Sequence, residues 1–224
     1  MAKDCYIFGA GEASYPQCVP PRGEVTVIAA DGGFPAAVRV FGSPDLVVGD
    51  FDSLGYLPTC VPTVCHPPEK DETDLLLAVR EGMARGARRF WIYGALGGRL
   101  DHTVANLQVL AYLAAAGAEG YLFGADGTAV TAIAGGQSLL FPVGYRGTLS
   151  VLALGGPAEG VTLRGVKYPL EAAAMSSAFP LGVSNELLGE GAAVVLGAGS
   201  LHVFFTYDPS RPLPSRNGGY AENK

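Results

Sequence analysis

Basic side chains are scarce in this sequence. Only 15 Lys and Arg stand against 21 Asp and Glu over 224 residues, for a net charge of −6 and a pI near 5.0. Gripping nucleic acid through its phosphates requires clustered cations, so that class of partner is excluded, and an anionic ligand must bring its own cations. Cysteine is thin as well. Cys5, Cys18, Cys60 and Cys65 include no C-x-x-C pair and lie in strand-like or Pro-rich surroundings, as buried or incidental thiols do, not as a disulfide framework or zinc site does. No run approaches the roughly 20 apolar residues that span a bilayer. Met1-Ala2-Lys3-Asp4 leads at once into a strand-like run, unlike a secretory signal, so a cytoplasmic protein without membrane association is expected. No internal repeat is visible.

What is present is apolar material, 49% of the chain, enough for one large domain or two modest ones. Short strand-like runs at Cys5 to Phe8, Val25 to Ala30, Leu46 to Val48, Val61 to Cys65, Arg89 to Tyr93 and Tyr121 to Phe123 alternate with helical patterns. The helices are expected at Phe34 to Phe41, Asp71 to Arg85 and Asp101 to Ala116, closing on Gly42, Gly86 and Gly117. This alternation predicts a mostly parallel, Rossmann-like α/β sheet covered on both faces, with ligands outside the carboxyl ends of its strands. From about Gly135 the pattern shifts to short strands separated by Gly-rich turns, which predicts an antiparallel β-sandwich of jelly-roll type. The expected organisation is an α/β domain over 1–134, a sandwich domain over 135–207 and a flexible tail, poor in apolar residues, over 208–224.

Acidic residues recur at strand and helix ends. Asp50 and Asp52 follow the apolar run Leu46-Val47-Val48 and, if extended, share one face. Asp71 and Asp74 sit three apart at an expected helix start and share a helical face. Taken alone, Asp71 and Asp74 more often read as acids at a helix N-terminus, and Asp50 and Asp52 more often as turn residues. Their repetition, with a third acidic site at Asp101, points further: crowded carboxylates repel unless a hard cation such as Mg²⁺ sits among them. The Gly94-Ala95-Leu96-Gly97-Gly98-Arg99 loop before a helix suits a phosphate chain, with Arg99 able to bind its oxygens bidentately. A plain connecting loop, with Arg99 paired to a surface acid and Asp101 as a helix cap, is the alternative. Lys70 is a further phosphate candidate; His102 and Asn106 share a helix face nearby.

Taken in order, the matching segments are Asp31-Gly32-Gly33, Gly49-Asp50-Phe51-Asp52-Ser53, Lys70-Asp71-Glu72-Thr73-Asp74, Gly94 to His102 with Asn106, Gly165-Val166-Lys167-Tyr168, and Ser184-Asn185-Glu186. This set resembles the thiamin pyrophosphokinase family over nearly the whole chain to about Tyr207. The resemblance implies Mg²⁺-dependent transfer of pyrophosphate from ATP to the hydroxyl of thiamin, giving thiamin diphosphate and AMP. It also implies a homodimer with active sites between subunits. By the same resemblance Asp50, Asp52, Asp71 and Asp74 hold Mg²⁺, with Arg99 and Asp101 completing the catalytic set. Asp31, Gly32, Lys70, Thr73, Gly97, Gly98, Arg99, His102 and Asn106 meet ATP, and Tyr168, Ser184 and Asn185 meet thiamin. Tyr168 stands where the family often has Trp, a smaller stacking face. A related diphosphokinase acting on a hydroxymethylpterin, or a nucleotide binder without chemistry, would share the first domain; Ser184-Asn185-Glu186 favours thiamin.

Overall fold

The structure, a computed structural model, describes residues 3–16, 19–50, 55–56, 58, 60–66 and 71–218. These fall into two compact units, one drawn from residues 1–109 and 120–126, the other from 110–119 and 127–224.

The first unit holds strands β1 (Lys3–Phe8), β2 (Val25–Ala30), β3 (Leu46–Gly49), β4 (Thr63–Cys65), β5 (Ala87–Tyr93) and β6 (Glu119–Phe123). Its helices are α1 (Phe34–Phe41), α2 (Asp74–Ala84) and the part of α3 (Leu100–Ala115) up to residue 109. Strand order is β6-β5-β1-β2-β3-β4, and β1 runs parallel to both β2 and β5. The chain thus builds outward from β1 on one side and then crosses to its other side, leaving a switch point between β1 and β5 where a crevice opens. All six residues of β2 are buried, as expected of a strand covered on both faces. On one face Gly82 of α2 packs so tightly that a Cβ there would lie 2.7 Å from the Phe90 ring and 3.0 Å from Cys5 Sγ. On the other, Phe41 of α1 meets Tyr6 and Phe8. There Trp91 stacks between Tyr6, at 5.5 Å, and Phe123, at 5.8 Å, and Tyr93 stacks on Phe123 at 4.8 Å.

Strands β1, β5 and β6 start earlier than expected, at Lys3, Ala87 and Glu119, whereas β4 and α2 start later. Strand β4 starts at Thr63 rather than Val61. Helix α2 starts at Asp74 rather than Asp71, because Thr73 caps it, its Oγ1 accepting the Leu76 N–H at 3.3 Å. Asp71 therefore lies before the helix and shares no helical face with Asp74.

The second unit contains β7 (Thr128–Ala134), β8 (Gln137–Phe141), β9 (Arg146–Leu152), β10 (Ala158–Arg164), β11 (Leu170–Met175), β12 (Asn185–Leu188), β13 (Ala192–Val195), β14 (Ser200–Thr206) and β15 (Ser215–Gly218). They form two antiparallel layers, β12-β9-β14-β7 and β11-β10-β13-β8-β15. Phe141 of one layer meets Phe205 of the other edge to face at 5.2 Å, with Tyr145 beside them. Strand β15 corrects the expected loose tail. It pairs with β8, and the Arg216 guanidinium donates to the carbonyls of Ala118 at 2.9 Å and Ala132 at 2.6 Å and to Thr131 Oγ1 at 3.1 Å. Backbone ladders and a guanidinium need no apolar residues, so composition alone misses this strand. Residues 219–224 lie outside the described set. Among the described residues no helix is long and apolar enough to cross a membrane.

Candidate active site

At the carboxyl edge of the parallel sheet, main chain meets main chain at distances only glycine permits. Gly9 N donates to Tyr93 O at 2.8 Å and Gly11 N to Gly94 O at 2.9 Å. A Cβ on Gly94, whose φ is +68°, would fall 2.5 Å from Gly9 O, and one on Gly33 would fall 1.8 Å from Phe8 O. These contacts draw together the ends of β1, β2 and β5. They leave a cavity of about 430 Å³. Its walls are the Gly9–Gly11 loop, Asp31, the first turn of α2 from Thr73 to Leu75, and the Gly94–Arg99 loop with His102 and Asn106 of α3.

Asp31 follows β2 and opens a single 3-10 turn, Asp31–Gly33, that includes Gly32. Its φ of 43° is left-handed, a conformation that costs a residue with a side chain about 1 kcal/mol. Its Oδ1 is buried with no hydrogen-bond partner among the described residues. The end of β3 lies alongside, since a Cβ on Gly49 would be 3.0 Å from both Cα and Cβ of Asp31, and Asp50 comes next in the chain. Of the four carboxylates expected to converge, Asp74 lines the cavity, Asp50 adjoins Asp31 through Gly49, and Asp71 is exposed and not part of the wall. Asp52 and Lys70 lie outside the described residues, as do Phe51 and Ser53. Among the described residues no three His, Cys, Asp or Glu side chains gather closely enough to hold a metal ion.

Two helix N-termini, carrying unsatisfied N–H groups and partial positive charge, contribute to the same cavity. Before α3, Gly97 and Gly98 take φ of +83° and +66° with open space where a Cβ would stand. Arg99 is turned to Asp101, its Nη2 donating to Oδ2 at 2.7 Å and its Nε to Oδ1 at 3.3 Å. Asp101 Oδ1 also accepts the His102 N–H at 3.0 Å. The Arg99 hydrogen bond, chiefly, holds the Asp101 carboxyl below the usual carboxylate range. Asn106 is buried, and its Nδ2 donates to Ala95 O at 2.8 Å, so it fixes the Gly94–Arg99 loop. His102 is exposed at the rim. The Gly9–Gly11 loop was not among the expected site residues; a lone G-x-G after a strand is a weak signal.

In the second unit Tyr168 is 58% exposed, whereas Asn185, expected beside it as a ligand contact, is only 3% exposed. Asn185 Oδ1 accepts the N–H groups of Tyr168 and Glu186, each at 2.9 Å, and its Nδ2 donates to Tyr168 O at 2.7 Å. Ser184 takes a left-handed φ of 60°, its N–H donates to Ser150 Oγ at 3.0 Å, and its side chain faces outward.

Comparison with known proteins adds to this geometry. A family model described as thiamin pyrophosphokinase, catalytic domain, matches residues 22–122, and one described as thiamin pyrophosphokinase, vitamin B1 binding domain, matches residues 140–201. Among solved structures, the chain is similar to a thiamine pyrophosphokinase from Bacillus subtilis, with 22% identity, 92% of this chain and 100% of that chain covered, and a TM-score of 0.76. A thiamin pyrophosphokinase family protein from Enterococcus faecalis shows 27% identity, the same 92% and 100% coverage, and a TM-score of 0.74. Thiamin pyrophosphokinase from Candida albicans, at 14% identity, covers 92% of this chain and 90% of its own with a TM-score of 0.70. No curated protein sequence matches the chain.

Proposed function

Because the chain belongs to the thiamin pyrophosphokinase family, we propose that its glycine-walled cavity takes the polyphosphate of ATP, from which pyrophosphate passes to the hydroxyl of thiamin, giving thiamin diphosphate and AMP. The observation that carries this is positional. A cavity bounded by two helix N-termini lies at the switch point of a parallel sheet, its walls, apart from the Gly9–Gly11 loop, inside the stretch matched by the catalytic-domain model, and a vitamin-binding match follows it.

Magnesium fits the cavity on one ground: the buried Asp31 Oδ1 has no donor, and a carboxylate oxygen shares space with phosphate only when a cation lies between them. Asp31, Asp50 and Asp74 form no ready-made cluster among the described residues, so an ion arriving with the polyphosphate would be held by phosphate oxygens together with single carboxylates, Asp31 and Asp74 of the cavity wall and Asp50 beside Asp31, with Asp52 and Asp71 as further carboxylates, and its charge would neutralise the phosphate oxygens. Placing Asp31 among the cation ligands replaces its expected direct contact with ATP. Backbone N–H groups at the starts of α2 and α3 orient the phosphates. Arg99 exchanges Asp101 for phosphate oxygens, a swap of like acceptors for a guanidinium fork. Thr73 and Asn106 keep the two helix starts in place, His102 extends the phosphate-binding rim, and Lys70, outside the described residues, is a further phosphate contact by the family resemblance. Tyr168 and Ser184 meet thiamin. A cytoplasmic homodimer with active sites between subunits completes the proposal; Leu100 and Val104, 76% and 51% exposed and one turn apart on α3, favour a face that a partner covers.

The test is direct. Purified chain with ATP, Mg²⁺ and thiamin should yield AMP and thiamin diphosphate in equal amounts. ADP in place of AMP, or no thiamin diphosphate while a hydroxymethylpterin is converted, would refute it.

A further inference from the structure

We propose that Asn185 is a positioning residue that holds the Tyr168 ring out to substrate, and that it does not itself touch substrate. This rests on the assignment of Tyr168 to the thiamin site. Three observations carry it. The Asn185 side chain is almost wholly buried, which removes it from any ligand that Tyr168, 58% exposed, could reach. Both ends of its amide are engaged by main chain, the oxygen by the N–H groups of Tyr168 and Glu186 and the nitrogen by the Tyr168 carbonyl. The segment so held has little else to fix its end: Gly165–Tyr168 lies between β10 and β11 and touches β12 through the Val166–Leu187 bridge and the Lys167 N–H to Glu186 O bond at 3.0 Å.

The rest of the segment is consistent with a pedestal for one ring. Gly165 approaches the Gly191 carbonyl so closely that a Cβ would be 1.9 Å from it, which anchors the segment's start. Val166 is buried. Lys167 pairs with Glu186 at 2.7 Å and leaves its ammonium 5.5 Å from the Tyr168 ring centroid. An asparagine clamping both the N–H and the C=O of one residue imitates a strand partner where the ladder stops.

Steady-state kinetics on the full chain and amide hydrogen exchange together test this. Tyr168→Ala and Asn185→Ala should each raise the KM for thiamin about three- to tenfold, the worth of one ring stack, with kcat and the KM for ATP unchanged. The double variant should be no worse than either single one, because both remove the same contact. Asn185→Asp, which keeps the acceptor and loses the donor, should fall between wild type and Asn185→Ala, and it carries the test if Asn185→Ala does not fold. Effects that multiply in the double variant, or an unchanged KM in Asn185→Ala, would overturn the proposal. Exchange separates this result from the functional assignment. The Tyr168 and Glu186 amides should lose protection in the Asn185 variants. A wild-type chain making no thiamin diphosphate overturns the function; loss of Tyr168 protection then still supports the clamp, and retained protection overturns it.

Discussion

Glycines that look alike in the sequence do different work, and substitution tells them apart. Gly94 and Gly97 both have positive φ, but a Cβ on Gly94 meets Gly9 O at 2.5 Å and Gly11 O at 2.7 Å, whereas one on Gly97 meets nothing within 4 Å. Gly94→Ala should therefore cost roughly 2–4 kcal/mol, strain plus collision, and Gly97→Ala only about 1 kcal/mol, measured by urea unfolding. Asp31→Asn changes charge with little change in shape, and asparagine tolerates the left-handed backbone well. It should leave the melting temperature in place and lower AMP formation by about two or more orders of magnitude, the scale seen when a preorganised electrostatic group is lost. Near-normal turnover would remove Asp31 from the site. At this scale the residue types were legible from strand-end position, but their partners were not. Nothing in the local sequence says that Asn106 and Asn185 are turned onto main chain, or that Gly9 and Gly11 close against Gly94.

Elements were read well where periodicity was strong and poorly where tertiary context decides. Strand β2 and helix α1 match expectation at both ends, since a run of buried β-formers and a Gly42 stop leave little choice. The sequence pattern starts helix α2 three residues early because Asp71, Thr73 and Asp74 are all plausible starts, and the Thr73 hydroxyl makes the capping bond. Thr73→Ala should cost about 1 kcal/mol in thermal unfolding. Leu-Glu-Ala-Ala-Ala-Met, residues 170–175, has helix-favouring composition yet forms β11, because β10 offers it an edge. Strand β15 is held by its ladder to β8 and by the Arg216 guanidinium. Arg216→Met should leave carbonyls of Ala118 and Ala132 without their donor and lower stability by about 2–4 kcal/mol, with the chain still folded in mild conditions.

For the whole molecule, two units of different texture were legible because hydrophobic period changes along the chain. Their extents were less so: residues 110–119 group with the later unit, and a contact made across the sequence leaves no local period. Acidic surplus also has a clear meaning at this scale. With a net charge of −6, the molecule as a whole does not attract an anion, so the proposed polyphosphate would be drawn in only through local groups, the helix starts and Arg99, and through a cation that accompanies it.

The lone tryptophan has a practical consequence. Trp91 is sandwiched between Tyr6 and Phe123, all within the first unit, so its emission is a chromophoric label for that unit that nature has already installed. Denaturant titration followed by its fluorescence should trace the α/β half alone, while far-ultraviolet dichroism averages both halves. Two midpoints that fail to coincide would mean that the halves melt as separate cooperative bodies, and coincident midpoints that they melt as one.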